Sequence, residues 1–275
     1  MDTLPPTFEC LVKQSYKNFE VVFINDGSND GTKELIENFK LDQDIIVINQ
    51  KNYGLGSARN SGIKASKGKF LALLDADDLW EENKLEMVYN YLMKNNSRVI
   101  CHNELVVNEK NKLLKKNYYG PHTTYEDLLF KNNCLSPSAV VIERDVFNEV
   151  GYFTENLKLH GVEDYDMWLR IAFLNIKISY MPDFLGSYVI HGNNMSVKYN
   201  FFDRIEALYI KQVENINLDS WDKRLRYTFR LLKFYIIKLK TAALKMYLVE
   251  VLKILKDIFY LIVFFKKYIS MKEKI

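Results

Sequence analysis

Three aspartates crowd four positions in the stretch FLALLDADDLW, Phe70 to Trp80: Asp75, Asp77 and Asp78. The apolar block ahead of them, Phe70 to Leu74, has the composition of a strand buried on both faces. In extended chain, residues two apart point the same way, so Asp75 and Asp77 are expected to project together where the strand ends. Two close carboxylates repel unless a cation lies between them. Hard oxygen ligands with open positions suit Mg2+ or Mn2+, above all where substrate phosphates complete the shell. Helix capping is the competing reading: Asp78 with Glu81 three residues on matches a capping box, which accounts for Asp78 and leaves Asp75 and Asp77.

Four further stretches carry groups of the same kind. In INDGSNDGT, Ile24 to Thr32, Asp26 offers a carboxylate to a base or ribose and Gly27 allows a tight turn, while Asn29 or Asp30 suits a helix cap. A turn with no ligand explains the same letters. NYGLGSARNSG, Asn52 to Gly62, contains Gly54 and Gly56, but the third glycine of a dinucleotide-binding GxGxxG falls on Arg59, which speaks against a nicotinamide or flavin site. A glycine-bearing loop feeding a helix with an arginine in its first turn suits a phosphate clamp, because amide N–H groups and a guanidinium both face an anion. An arginine paired with an acid is the alternative. HGVEDYDMWLR, His160 to Arg170, opens a helix at Glu163 or Asp164, where an acid is either a cap or a base that takes a proton from an acceptor hydroxyl. In YVIHGNNMS, Tyr188 to Ser196, His191 ends an apolar strand as a metal ligand or as a structural histidine.

Regular elements must bring these stretches to one edge. Strand-like runs at Glu20 to Ile24, Ile45 to Ile48 and Phe70 to Leu74 alternate with helical patterns after Asn29, Ser57 and Asp78. The alternation predicts α/β architecture, a mostly parallel sheet flanked by helices, with ligands beyond the carboxyl ends of the strands. Further strands are expected at Val99 to Val107, Ala139 to Ile142, Ile176 to Tyr180 and Gly186 to Ile190. After Asn200 the pattern turns helical and rich in Lys, Leu, Ile, Phe and Tyr, which sets a boundary: residues 1–200 as the site-bearing domain, 201–275 as a helical basic region. With 275 residues, 48% of them hydrophobic and 27% charged, the chain has material for a full core and is neither disordered nor fibrous. Cys10, Cys101 and Cys134 show no CxxC spacing, which suggests neither a disulfide framework nor a zinc site and fits a reducing compartment.

Taken in order, NDGSNDGT, NYGLGSARNSG, LLDADD, EDYDMWLR and IHGNNMS resemble family 2 glycosyltransferases, inverting enzymes with the GT-A fold that take a sugar from a nucleotide donor. KQSYKNFEVVFINDGS, Lys13 to Ser28, and SPSAVVIERDVFNEVGYF, Ser136 to Phe153, resemble the same family, and the likeness runs from Leu4 to Val197. It implies that Asp26 holds the uracil or ribose of a UDP-type donor, with Asn25 where the family usually has a further Asp. It implies that Arg59 contacts the diphosphate, that Asp75 and Asp77 are the DXD pair, with Asp77 the direct ligand of Mn2+ or Mg2+ and Asp75 nearer the ribose, and that His191 completes the metal or diphosphate site. Val189 replaces an arginine often found two residues before that histidine. Asp164 is implied as the catalytic base. The acceptor implied is a glycan or a lipid-linked molecule in cell-surface polysaccharide or glycoconjugate assembly. The family begins with a strand and a Pro and Tyr-Asn type segment, whereas MDTLPPT enters almost directly into FECLVKQSY. The strand is therefore expected either upstream of Met1 or lost, and its loss would leave a gap in the centre of the sheet.

The formal net charge of +3 hides an uneven distribution: residues 222–275 hold 14 Lys and Arg against four Asp and Glu, so the body ahead of them is acidic. Leu225, Phe229, Leu232, Tyr235, Ile236 and Leu239 recur at helical spacing with basic residues between them. Such a stripe packs on the catalytic domain or a partner helix, or lies in a membrane interface held by anionic lipid. The longest uncharged apolar stretch of the tail, Ile258 to Phe265, is far below the roughly 20 residues of a spanning helix. With no secretory signal pattern, a cytoplasmic protein peripheral to the inner face of the plasma membrane is expected. No stretch reads as a base-recognition module, so nucleic acid is not expected as a partner. Two rival functions remain at this level: a truncated, non-catalytic nucleotide-binding relic of the same fold, and a nucleotidyltransferase, whose product would be pyrophosphate rather than a nucleoside diphosphate.

Overall fold

The computed structural model describes residues 3–120, 124–131, 135–192, 194, 202–213, 221–244 and 248–263. Cys134 and, from IHGNNMS, Asn193, Met195 and Ser196 lie outside the described residues. The chain divides into two compact units, Met1–Tyr199 and Asn200–Ile275.

The first unit opens with α1 (Leu4–Val12), whose prolines occupy the first turn, where a missing N–H costs nothing. Leu4, Phe8 and Leu11 fall at i, i+4 and i+7 and are buried. There follow β1 (Val21–Asp26), α2 (Thr32–Asn38), β2 (Ile45–Gln50), α3 (Leu55–Ala65) and β3 (Phe70–Ala72). After a turn come β4 (Leu79–Trp80), α4 (Lys84–Asn95), β5 (Val99–Asn108) and β6 (Leu113–Asn117). Next are α5 (Tyr125–Lys131), β7 (Val140–Glu143), α6 (Arg144–Val150), α7 (Glu163–Phe173) and β8 (Ile178–Ile190). The strands at Ile176 to Tyr180 and Gly186 to Ile190, separate in sequence pattern, form the single strand β8; it pairs with β5 along its length, with register shifts near Asn103 that absorb the interruption.

The α/β layering expected from the sequence is present, with a correction to the sheet. β1 and β2 form a parallel pair of their own, and a six-stranded sheet runs β3-β7-β5-β8-β4 with β6 on β5. Within it β5 and β8 are parallel, while β3–β7, β5–β7, β5–β6 and β4–β8 are antiparallel. The sheet is therefore mixed rather than mostly parallel; the short β5–β6 connection can only be a hairpin, and hairpins are antiparallel. Among the described residues no strand pairs with the second edge of β1 or of β3. The two sheets are tied instead by Glu20, whose carboxylate accepts the amides of Lys67 (2.5 Å) and Gly68 (2.8 Å) ahead of β3. A shared cluster of Cys10, Leu11, Val21 and Trp80, with Phe23, Ala72 and Leu74 against it, fills the space below.

In the second unit, α8 (Phe202–Val213), α9 (Trp221–Leu244) and α10 (Leu248–Val263) are helical, as the periodicity predicts. Tyr227, Leu231 and Tyr235 line one buried face of α9 at a spacing of four, and the Tyr227 hydroxyl donates to the Tyr209 carbonyl at 2.6 Å. Phe229 and Ile236 of α9 and Leu252, Leu255 and Phe259 of α10 are exposed. No helix among the described residues is long and apolar enough to cross a membrane.

Candidate active site

β3 stops at Ala72, two residues earlier than its apolar run, and a turn follows in which the Asp78 amide donates to the Asp75 carbonyl at 3.1 Å. The extended geometry that would aim Asp75 and Asp77 together is thus replaced by a bend that sends them to different partners. Asp75 receives Arg59 Nη2 on both oxygens, at 3.0 and 3.2 Å. Asp77 receives His191 Nε2 at 2.9 Å and Asn194 Nδ2 at 3.2 Å, all on one oxygen. The repulsion anticipated between the two carboxylates is met by separation and by a cation for one of them.

Asp78 does not cap a helix. α4 begins only at Lys84 with Asn83 at its cap, and Asp78 is 1% exposed. Its oxygens accept the Ser138 hydroxyl at 2.6 Å and the Val189 amide at 3.2 Å, and burial holds its pKa well above the usual carboxylate range, with Asp75 and Glu104 adding to the effect. The capping-box pattern reads letters three apart; the residues that satisfy Asp78 come from the turn before β7 and from β8.

Arg59 lies in the second turn of α3 rather than its first. Besides Asp75 it meets Glu163 (3.4 Å), and its guanidinium stands 5.5 Å from the Phe153 ring centroid. Burial alone would lower its pKa, but Asp75, Asp164 and Glu163 together raise it. Glu163 opens α7, is itself buried, and accepts the Gly161 amide. Asp164, next in that first turn, is half-buried and accepts the Tyr165 amide at 2.7 Å. Its pKa is pushed up to about 6, mainly by burial; Arg59 pulls it down, and Glu163 and Asp75 push it up.

Asp26 ends β1, in the two-stranded sheet. It accepts Gln50 Nε2 (2.7 Å) and the amides of Tyr53 (3.0 Å) and Gly54 (2.9 Å), so these loop amides face a carboxylate of the chain itself. Gly54 has φ +89°, which few side chains tolerate. Gly56 is needed for a different reason, since a Cβ there would strike the Thr154 carbonyl. Asn25 donates to Asn49 at 2.9 Å and accepts the Ser28 amide at 2.9 Å, fixing the turn after β1.

The structure therefore assembles Arg59, Asp75, Glu163 and Asp164 into one group and Asp77, His191 and Asn194 into another, joined through the turn 75–78; Asp26 stands apart, on β1. Sequence reasoning missed Asn194, which sat unremarked inside IHGNNMS, and it missed Ser138 and the fully buried Lys84 altogether. Lys84 Nζ donates to the Ser138 carbonyl (3.1 Å) and lies 3.3 Å from the Trp80 ring centroid, and burial holds its pKa well below the usual lysine range. Among the described residues no three His, Cys, Asp or Glu side chains are grouped as a metal cage. The donor set at Asp77 and His191, one carboxylate oxygen and one imidazole, fits Mn2+ or Mg2+ that takes its remaining ligands from phosphate and water.

Comparison with known proteins identifies the fold and the family. An uncharacterized glycosyltransferase of Rickettsia bellii is 33% identical over 174 residues, which are 62% of this chain and 24% of that one. The UDP-Glc:alpha-D-GlcNAc-diphosphoundecaprenol beta-1,3-glucosyltransferase WfgD of Escherichia coli is 32% identical over 170 residues, 62% of this chain and 64% of that one. The chain thus spans less than two thirds of the length of both relatives. Among solved structures, S. aureus TarS in complex with UDP-GlcNAc superposes with a TM-score of 0.71 at 21% identity, covering 94% of this chain and 77% of that one. The mannosyltransferase PcManGT of Pyrobaculum calidifontis, in complex with GDP-Man and Mn2+, gives 0.61 at 15% identity, covering 98% and 79%. These likenesses establish the GT-A fold. The family model described as glycosyl transferase family 2 matches residues 1–151, more than half of the chain, and the protein belongs to that family.

Proposed function

We propose that the chain is an inverting, metal-dependent glycosyltransferase that moves a sugar from a UDP-type nucleotide donor to a glycan or lipid-linked acceptor in cell-surface polysaccharide or glycoconjugate assembly. The observation that carries this reading is the meeting of Asp77 with His191 beside the Arg59, Asp75 and Asp164 cluster. That pairing juxtaposes a cation site, a fixed positive charge and a carboxylate of raised pKa. The names of the relatives support it: WfgD is named for a UDP-Glc donor and a diphosphoundecaprenol-linked acceptor, and the solved neighbours hold UDP-GlcNAc and GDP-Man.

In this reading Asp77 and His191 hold Mn2+ or Mg2+, whose charge, when bound, stabilises the departing diphosphate. Arg59, already held between Asp75 and Glu163, adds a preorganised positive charge at the same place. Asp75 lies toward the ribose, and Asp26 toward the uracil. Asp164 takes the proton from the acceptor hydroxyl as its oxygen bonds to the anomeric carbon; the bond from that carbon to the diphosphate oxygen breaks, and UDP leaves with the electron pair. A single displacement inverts the centre and needs no protein nucleophile. A pKa near 6 keeps Asp164 ionised at neutral pH while leaving it a stronger base than an ordinary aspartate.

The test is release of UDP from UDP-glucose and UDP-GlcNAc by the full chain with Mn2+ present. Turnover that Asp164→Asn abolishes without weakening UDP binding supports the assignment; loss of binding together with turnover contradicts it. The helical region belongs to the same proposal as a peripheral contact with the cytoplasmic leaflet, supported by the exposed Phe229, Ile236, Leu252, Leu255 and Phe259 set among Lys233, Lys253 and Lys256. A second reading, a nucleotide-binding scaffold without turnover, draws on the division of the sheet between β1 and β3. Binding of UDP with no hydrolysis or transfer would favour it.

A further inference from the structure

We propose that Ser138 and Asp78 are positioning residues: they lock the turn that carries Asp75 and Asp77 to the strand end that carries His191. The inference rests on the proposed metal and nucleotide site and assigns what holds its parts in register. Ser138 sits in the short helical turn Pro137–Ala139 ahead of β7 and has no exposed surface. Its hydroxyl works in both directions, accepting the Asp75 amide at 3.1 Å and donating to Asp78 at 2.6 Å. The other oxygen of Asp78 accepts the Val189 amide at 3.2 Å, two residues before His191. His191 reaches back to Asp77 at 2.9 Å and closes the ring. The circuit runs from the turn through Ser138 and Asp78 to β8 and back to the turn through His191.

Ser138 is itself held. Its carbonyl accepts Trp80 Nε1 (2.8 Å) and Lys84 Nζ (3.1 Å), and on the opposite side the Thr7 hydroxyl lies 3.1 Å from the carbonyls of both Ala76 and Asp78. Burying Asp78 and Lys84 is expensive, and an apolar core of the same volume would cost less. What the arrangement gives in return is a rigid turn from which the carboxylates of Asp75 and Asp77 reach solvent, 35% and 29% exposed. Ligands to a small hard cation must be held to a fraction of an ångström, and supporting hydrogen bonds supply that precision.

The experiment compares Ser138→Ala with Ser179→Ala in the full chain. Ser179 also loses a half-buried hydroxyl contact, 2.9 Å to Ser97, but at the start of β8, at the far end from His191. Mn2+ affinity is read by electron paramagnetic resonance of the free ion with UDP present, UDP affinity by calorimetry in chelator, and melting temperature for each protein. Ser138→Ala is expected to weaken Mn2+ binding by about tenfold or more while its metal-free UDP affinity stays at the wild-type value, and Ser179→Ala is expected to keep wild-type Mn2+ affinity at a similar loss of melting temperature. Equal Mn2+ affinity in the two variants overturns the inference. If Ser138→Ala does not fold, Thr7→Val, which removes only the third tether of the turn, is expected to lower Mn2+ affinity without a matching loss of metal-free UDP affinity; unchanged Mn2+ affinity there overturns the inference as well. A wild-type chain that binds no Mn2+ with UDP overturns the functional reading and this inference together, whereas wild-type binding with an unaffected Ser138→Ala overturns this inference alone.

Discussion

Asp164 is asked to be ionised in a place that disfavours charge, and the two demands have opposite consequences. As the proposed base it works only when deprotonated, so kcat is expected to rise with pH through about 6 and to level off above, the profile that initial rates between about pH 4 and 8, roughly two units either side, would give. As a folded-state group, its raised pKa means that its contribution to stability is fully present below the ordinary aspartate value and is lost as pH rises through about 6. Asp164→Asn should therefore melt higher than wild type at neutral pH, and the difference should shrink on acidification toward pH 4; a lower melting temperature at neutral pH would show that Arg59 stabilises the charge more than burial penalises it. At this scale the residues of the proposed site were legible: Asp75, Asp77, Asp164 and His191 stand out by type and spacing. Their partners were not. Asp78 was misread because a capping box is a local pattern, while its real contacts, Ser138 and Val189, lie 60 and 111 residues away. Ser138 is one serine among many in the sequence, and only the fold distinguishes it.

The elements bring these residues together by ending where they do. β3 yields to a turn before its apolar run is exhausted: the Leu73 amide still donates to the Val140 carbonyl of β7 at 3.4 Å, and Leu74 packs against the cluster of Cys10, Leu11, Val21 and Trp80. α3 can approach the segment after α6 only because position 56 lacks a side chain, and Asn60 then binds both the amide and the carbonyl of Phe153, each at 2.9 Å. Gly56→Ala is expected to cost about 1–3 kcal/mol, a drop of several degrees in melting temperature, because the new methyl must displace backbone. A wild-type melting temperature would mean that the 151–156 segment moves freely, and would weaken the case that Arg59 and Glu163 are rigidly opposed. The order of strands and helices was legible from alternating apolar runs. The short β4 and β6 were not expected at all, since β4 falls where a helix was expected after Asp78 and β6 has no apolar run of its own, and strand direction was less legible than order, because pairing across the sheet decides it.

At the scale of the whole molecule, the chain joins an acidic α/β unit to a basic helical one. The exposed face of α9 and α10 mixes Phe229, Ile236, Leu252, Leu255 and Phe259 with lysines, a composition that gains from apolar burial and from anionic lipid together. Co-sedimentation with vesicles containing phosphatidylglycerol is expected, with release as salt approaches about 1 M, where charge is screened within a few ångströms, and with loss in Phe229→Asp combined with Leu252→Asp. Equal binding to neutral vesicles would remove the electrostatic part of that reading. Composition made the basic tail legible, but no local pattern tells whether its apolar stripe is covered, since that depends on surfaces distant in sequence. The central claim is that the turn after β3 holds a cation against a nucleoside diphosphate. Its most direct test is calorimetric titration of UDP into the 275-residue chain with Mn2+, with the metal chelated, and with Asp77→Ala. Binding that is weak but measurable in chelator and in Asp77→Ala, and strengthened when both the metal and Asp77 are present, is the predicted result; UDP binding of equal strength in all three experiments, or none in a folded wild-type chain, would contradict the account.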